Sequence, residues 1–121
     1  MLALRDPDEA YRRSQFDARI SGASAADLVR VCVEEVIDSL ALAMLAHRQR
    51  NYSIRSRALA RAVTALTALE MGIDRQAPLA DALLQFYGAA RVRVLDSAVR
   101  FETPVLEAVR SDFADLRAAF A

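Results

Sequence analysis

The chain has 121 residues, 55% of them hydrophobic, and its sixteen basic and sixteen acidic residues cancel. That length holds one apolar core, and the neutral total excludes a nucleic-acid binder held by phosphate contacts. Every basic residue is arginine, which removes Schiff-base lysines and the phosphate-binding loop, since both need an ammonium group.

No apolar run reaches the length of a bilayer span, so the chain reads as soluble. Met1 to Arg5 carry no basic start, apolar stretch or cleavage site, and a cytoplasmic location is expected. Cys32 stands alone and cannot form an intrachain disulfide, which agrees. Three Gly and three Pro among abundant Ala, Leu and Arg favour long helices and few turns.

Taken in order, Asp6-Pro7-Asp8-Glu9 reads as a capping box with proline at the first helical position, opening a short helix through Tyr11. Beyond it only Phe16 and Ile20 are large and apolar, in poor register with Tyr11. A loosely held arm is predicted for residues 1–23, its aromatic residues lying across apolar surface elsewhere. Ser24 with Asp27 repeats the capping signature and starts a long helix to about Gln49. Leu28, Val29, Cys32, Val36, Leu40 and Ala43 make its inner face, and Asp27, Arg30, Glu34 and Asp38 its wet one. Val31, Val33, Ile37, Leu42, Met44 and Leu45 widen the apolar arc beyond one contact.

Ser53 is the predicted cap of a second helix ending at Met71, with Gly72 stopping it in the left-handed conformation. Its small residues Ala58, Ala62, Ala65 and Ala68 predict close approach to a neighbour. Pro78 then starts a third helix to Phe101. One stripe of it holds Leu83, Phe86, Tyr87, Ala90, Val94, Ala98 and Phe101. A second, rotated by about a hundred degrees, holds Leu84, Gly88, Val92, Leu95 and Val99. A bundle helix needs only one such face. Thr103-Pro104 opens the last helix, whose seam is Leu106, Val109, Phe113, Leu116 and Phe120. The expected fold is all-α, one domain: an antiparallel up-down four-helix bundle over residues 24–121, with the N-terminal arm added.

No enzymatic constellation is present, and no metal or cofactor is expected. Cys32 and His47 lack a third ligand at useful spacing, and Cys32 reads as a small core residue. His47 leaves one sharper alternative, a histidine phosphotransfer domain, although its place near a helix end and the following Arg48-Gln49-Arg50 fit that poorly. Glu34-Glu35 reads as a solvated edge, and Arg55, Arg57 and Arg61 as a solvated face.

These features in this order resemble the flagellin export chaperone family, FliS, from Tyr11 to Phe120. The likeness rests on Tyr11, Ile20 and the helix start Ala23-Ser24-Ala25-Ala26-Asp27-Leu28, then Arg61-Ala62 with Leu66, Leu69 and Glu70. It continues in Leu83-Leu84-Gln85-Phe86-Tyr87 and ends in Leu116-Arg117-Ala118-Ala119-Phe120. Ala25 stands where the family has proline, Cys32-Val33 where it has Leu-Tyr, Arg61 for lysine and Phe120 for tryptophan.

The resemblance implies a cytoplasmic chaperone, not an enzyme, that binds the C-terminal segment of flagellin, prevents premature polymerisation and hands it to the flagellar type III export apparatus. Client helices would lie in apolar grooves, which the arm would partly cover until they arrive. The expected contact surface has Tyr11, Ile20, Leu28, Val29 and Val33 as one wall and Leu84, Val92, Leu95 and Val99 as the other. For all nine the alternative is core. A self-associating bundle, dimeric when free, is the other reading of surplus apolar surface. Aspartate at Leu83 should unfold the bundle; at Leu95 it would do so only if the second stripe is internal.

Overall fold

A computed structural model describes residues 10, 12, 13 and 25–120. Among the described residues from 25 on run four helices: α1 (Ala25–Arg48), α2 (Tyr52–Met71), α3 (Ala80–Val99) and α4 (Thr103–Ala119). The predicted four-helix architecture is the observed one. Tyr11, Phe16, Ile20 and the Ser24 cap lie outside the described residues.

Links as short as 49–51 and 100–102 leave room only for reversal, so successive helices run antiparallel. α1 packs most extensively on α2, while α2 also takes α3 and α1 also takes α4; α3 and α4 meet least. Along α2, Ala58, Ala62 and Ala65 are wholly buried, as the small-residue edge predicted. The thin α3–α4 seam is filled by aromatic rings. Phe113 of α4 stacks on Phe86 of α3 with centroids 5.0 Å apart, and Tyr87 lies 6.2 Å from Phe113. Around them Val33, Val36, Leu40, Leu66, Val94, Leu106 and Val109 form a dry core.

The helix ends depart from expectation in informative ways. Gly72 is right-handed, at φ −84°, and its N–H bonds the Ala68 carbonyl at 3.0 Å. The left-handed residue is instead Arg50, at φ 58°. There Arg50 N–H bonds His47 O at 3.1 Å and Asn51 N–H bonds Ala46 O at 2.8 Å, the paired closure that stops α1. Asn51 then caps α2, its Oδ1 accepting from Ile54 N–H at 3.2 Å. The predicted cap Ser53 lies inside the helix, accepting from Arg57 at 2.9 Å. One residue thus ends one helix and begins the next, which fixes the tight α1–α2 reversal.

Pro78 precedes α3 rather than starting it. An Asp74 side chain accepting from Gln76 N–H organises the turn, and α3 begins at Ala80 without a side-chain cap. The inner stripe of α3 holds buried Ser97 in place of exposed Ala98, because the Ser97 hydroxyl satisfies itself on the Arg93 carbonyl at 2.9 Å.

Candidate functional site

α3 satisfies the core with Tyr87, Ala90 and Val94, leaving its other stripe unclaimed. Leu84 is half-buried, while Val92, Leu95 and Val99 are exposed at 51%, 45% and 93%. Gly88 lies mid-stripe, and a Cβ built there would meet nothing within 4 Å. The surface is therefore an apolar strip with a shallow saddle, open to another element. Val99 also borders a smaller hollow of about 450 Å3 beside Arg93, Arg100 and Val105.

A second apolar surface lies at the end of the bundle where α1 begins, and its cleft of about 530 Å3 has contributions from every helix. Leu28 and Val29 line it from α1, Ile73 and Leu79 from the 72–79 link, and Leu116 and Phe120 from the end of α4. Cys32 and Tyr87 also border it. Burial first, then the nearby Glu35 carboxylate, raises the Cys32 thiol above its ordinary pKa. A protonated, buried thiol is a poor nucleophile, so Cys32 is core here, as expected from sequence.

The predicted contact residues consequently divide. Leu28 and Val29 belong to the end cleft; Leu84, Val92, Leu95 and Val99 belong to the outer face of α3, none of them bordering that cleft. Among the described residues the two predicted walls do not border one common groove. Val33 is fully buried among its own chain and offers nothing to a partner in this conformation. Tyr11 and Ile20 lie outside the described residues. The Ile73 and Leu79 contributions escaped sequence reading because a link supplies them, where periodicity carries no signal, and Phe120 was read there only as the end of the last helix's seam.

Polar side chains brace the helices behind these surfaces. Glu35 of α1 accepts from Arg61 of α2 at 2.5 Å and from Ser39 at 2.7 Å, with the two charged side chains only 12% and 14% exposed. This corrects the solvated reading of both residues: charges that far from water persist because they are paired and hydrogen-bonded. Glu70 likewise accepts from Arg91 Nε at 2.6 Å, joining α2 to α3.

His47 is no exposed nucleophile. Its half-buried ring stacks on Phe101 at 4.1 Å, and Nδ1 lies 3.0 Å from Arg55 Nη1, which can only donate. The Arg55 guanidinium sits 4.6 Å from the Tyr52 ring and 5.1 Å from that of Phe101. The imidazole joins the α1–α2 and α3–α4 turns. Among the described residues no three His, Cys, Asp or Glu side chains gather as a metal site, and no helix is long and apolar enough to cross a membrane.

A protein-family model described as "Flagellar protein FliS" matches residues 7–121, including all four helices. Among curated proteins no relative matches the chain.

Proposed function

The chain belongs to the FliS family of flagellin export chaperones, and we propose that in the cytoplasm it binds the C-terminal segment of flagellin, prevents its polymerisation and delivers it to the flagellar type III export apparatus. One observation carries the residue-level reading: a helix whose core stripe is already satisfied keeps a second apolar stripe, with Val92, Leu95 and Val99 in water and Leu84 half-buried at its start.

Burying the exposed parts of these side chains under a client helix is worth roughly 1–2 kcal/mol each. The sum must exceed the cost of ordering a flexible tail, about 2–5 kcal/mol of the gross interaction. A client helix on the α3 face alone would leave little net affinity. The end cleft, with Leu28, Val29 and Leu116, supplies a second anchoring place for the same extended client. Two separated apolar stations suit a long segment that wraps, and no catalytic group is required of the chaperone.

The phosphotransfer alternative gains no support from the His47 environment. A ring stacked on Phe101 and engaged at Nδ1 by Arg55 is not presented for phosphorylation.

The test is suppression of flagellin polymerisation by equimolar purified chain. Leu95→Ser and Leu28→Ser should each weaken binding of a flagellin C-terminal peptide about tenfold, with helical circular dichroism and melting nearly unchanged. Full binding by both variants, with the fold intact, would contradict the placement of the client.

A further inference from the structure

We infer that the apolar cleft at the bundle end binds a small neutral molecule, one with an apolar body and a hydrogen-bond acceptor, and that the Tyr87 hydroxyl is the donor that holds it. The site stands on the cleft alone; its competition with a client rests on the reading above.

Tyr87 is only 3% exposed and lines the cleft from α3. Its ring lies against Phe86 and Phe113, while its hydroxyl makes no hydrogen bond among the described residues. Among those residues Arg55 Nε is the one sealed side-chain polar atom without a partner. The Tyr87 hydroxyl is therefore not sealed, and the open space that Tyr87 borders is the cleft. Burial first, then neighbouring Cys32, raises the phenol above its ordinary pKa, so it stays protonated and offers its O–H. A tyrosine this far inside a protein normally finds a partner for that group. Here the partner has to enter through the mouth of the cleft.

Size, charge and hydrogen bonding narrow what can enter. Leu28, Leu69, Leu83, Leu116 and Phe120 are among the side chains around a space of about 530 Å3, within the roughly 300–1,000 Å3 of small-molecule sites. The one charged residue in the lining is Asp74, already accepting from Gln76 N–H. With no cation in the wall, an entering carboxylate would lose its water uncompensated and face Asp74, so the ligand is neutral. A helical segment can bring apolar side chains but no free acceptor, because its carbonyls are bonded within the helix. A ketone, ester or amide on an apolar body meets both requirements.

Titration of the full chain with methyl heptyl ketone, followed by two-dimensional amide NMR, tests this. Saturable binding with a Kd of about 0.1–1 mM is expected, with shifts around Leu28, Ile73 and Leu83 and none at Val92 or Leu95. Tyr87→Phe, which keeps the ring, should weaken binding about five- to tenfold. Ala77→Trp, at an exposed position of the lining, should abolish it. Nonanoate, of equal length, should bind about tenfold more weakly than the ketone or worse. Circular dichroism melts identify any variant that has lost the fold. No saturable binding, shifts centred on the outer face of α3, or undiminished binding by folded Tyr87→Phe overturns the site. Nonanoate bound as tightly as the ketone overturns its preference for neutral ligands. Saturating ketone should also weaken binding of a flagellin C-terminal peptide. Ketone and peptide bound together without mutual effect would support the ligand site and sink only the client's use of the cleft.

Discussion

Arg50 shows how a single residue can hold a helix end under strain. An L-residue at φ 58° costs roughly 1–2 kcal/mol relative to its right-handed form, a cost glycine avoids. Arg50→Gly should therefore raise unfolding stability by about 0.5–1 kcal/mol, net of glycine's greater chain entropy, read as a higher urea midpoint with unchanged slope. The Glu35–Arg61 pair behaves oppositely. Arg61→Met would strip the Glu35 carboxylate of its charged partner and leave it the Ser39 hydroxyl, so stability should fall by roughly 3 kcal/mol. Replacing both partners with methionine should recover most of that loss, which separates a stranded charge from lost packing.

Asp38 gives a pH-dependent test at the same scale. Burial, then Glu35 and Glu34, raises its carboxyl pKa, against a lowering by Arg117 and Arg61. The folded chain thus holds that proton more tightly than the unfolded one. The contribution is complete below the unfolded carboxylate value, about pH 3.9, and is lost as pH rises through the folded one. Asp38→Asn should raise the urea midpoint at about pH 7, with the advantage vanishing near pH 3. An advantage that grows on acidification would reverse the sign of this account.

At the scale of elements, α3 and α4 are held together differently from the other neighbours. Their shared surface is the smallest, and its rings, Phe86, Tyr87 and Phe113, make up for little backbone contact. Phe113→Ala should cost about 3–5 kcal/mol in urea unfolding, whereas Val99→Ser, on the exposed side of α3, should stay within about 0.5 kcal/mol. Existence and order of the helices were legible because apolar residues recur every three or four positions between Gly, Pro and polar breaks. The two faces of α3 were legible for the same reason. Pairings such as Glu35 with Arg61 were not, since the interaction depends on helix register across 26 residues. Nor was the left-handed position, which fell on an arginine while the nearby glycine stayed right-handed.

At the scale of the whole molecule, the described residues form a finished bundle with an apolar strip along α3 and an apolar cleft at its end. Leu28 and Val29 could be named from their helix as apolar residues that are either core or contact, but the cleft could not, because five segments of chain meet to form it. A chaperone of the FliS family built this way should bind by covering apolar surface while its client gains helix. Isothermal titration calorimetry with a flagellin C-terminal peptide at several temperatures measures that directly. Coverage of roughly 2,000 Å2, mostly apolar, should give a heat-capacity change of about −0.3 kcal/mol/K, with client helicity rising on binding. Binding with no heat-capacity change, or no binding by a chain that remains folded, would contradict it.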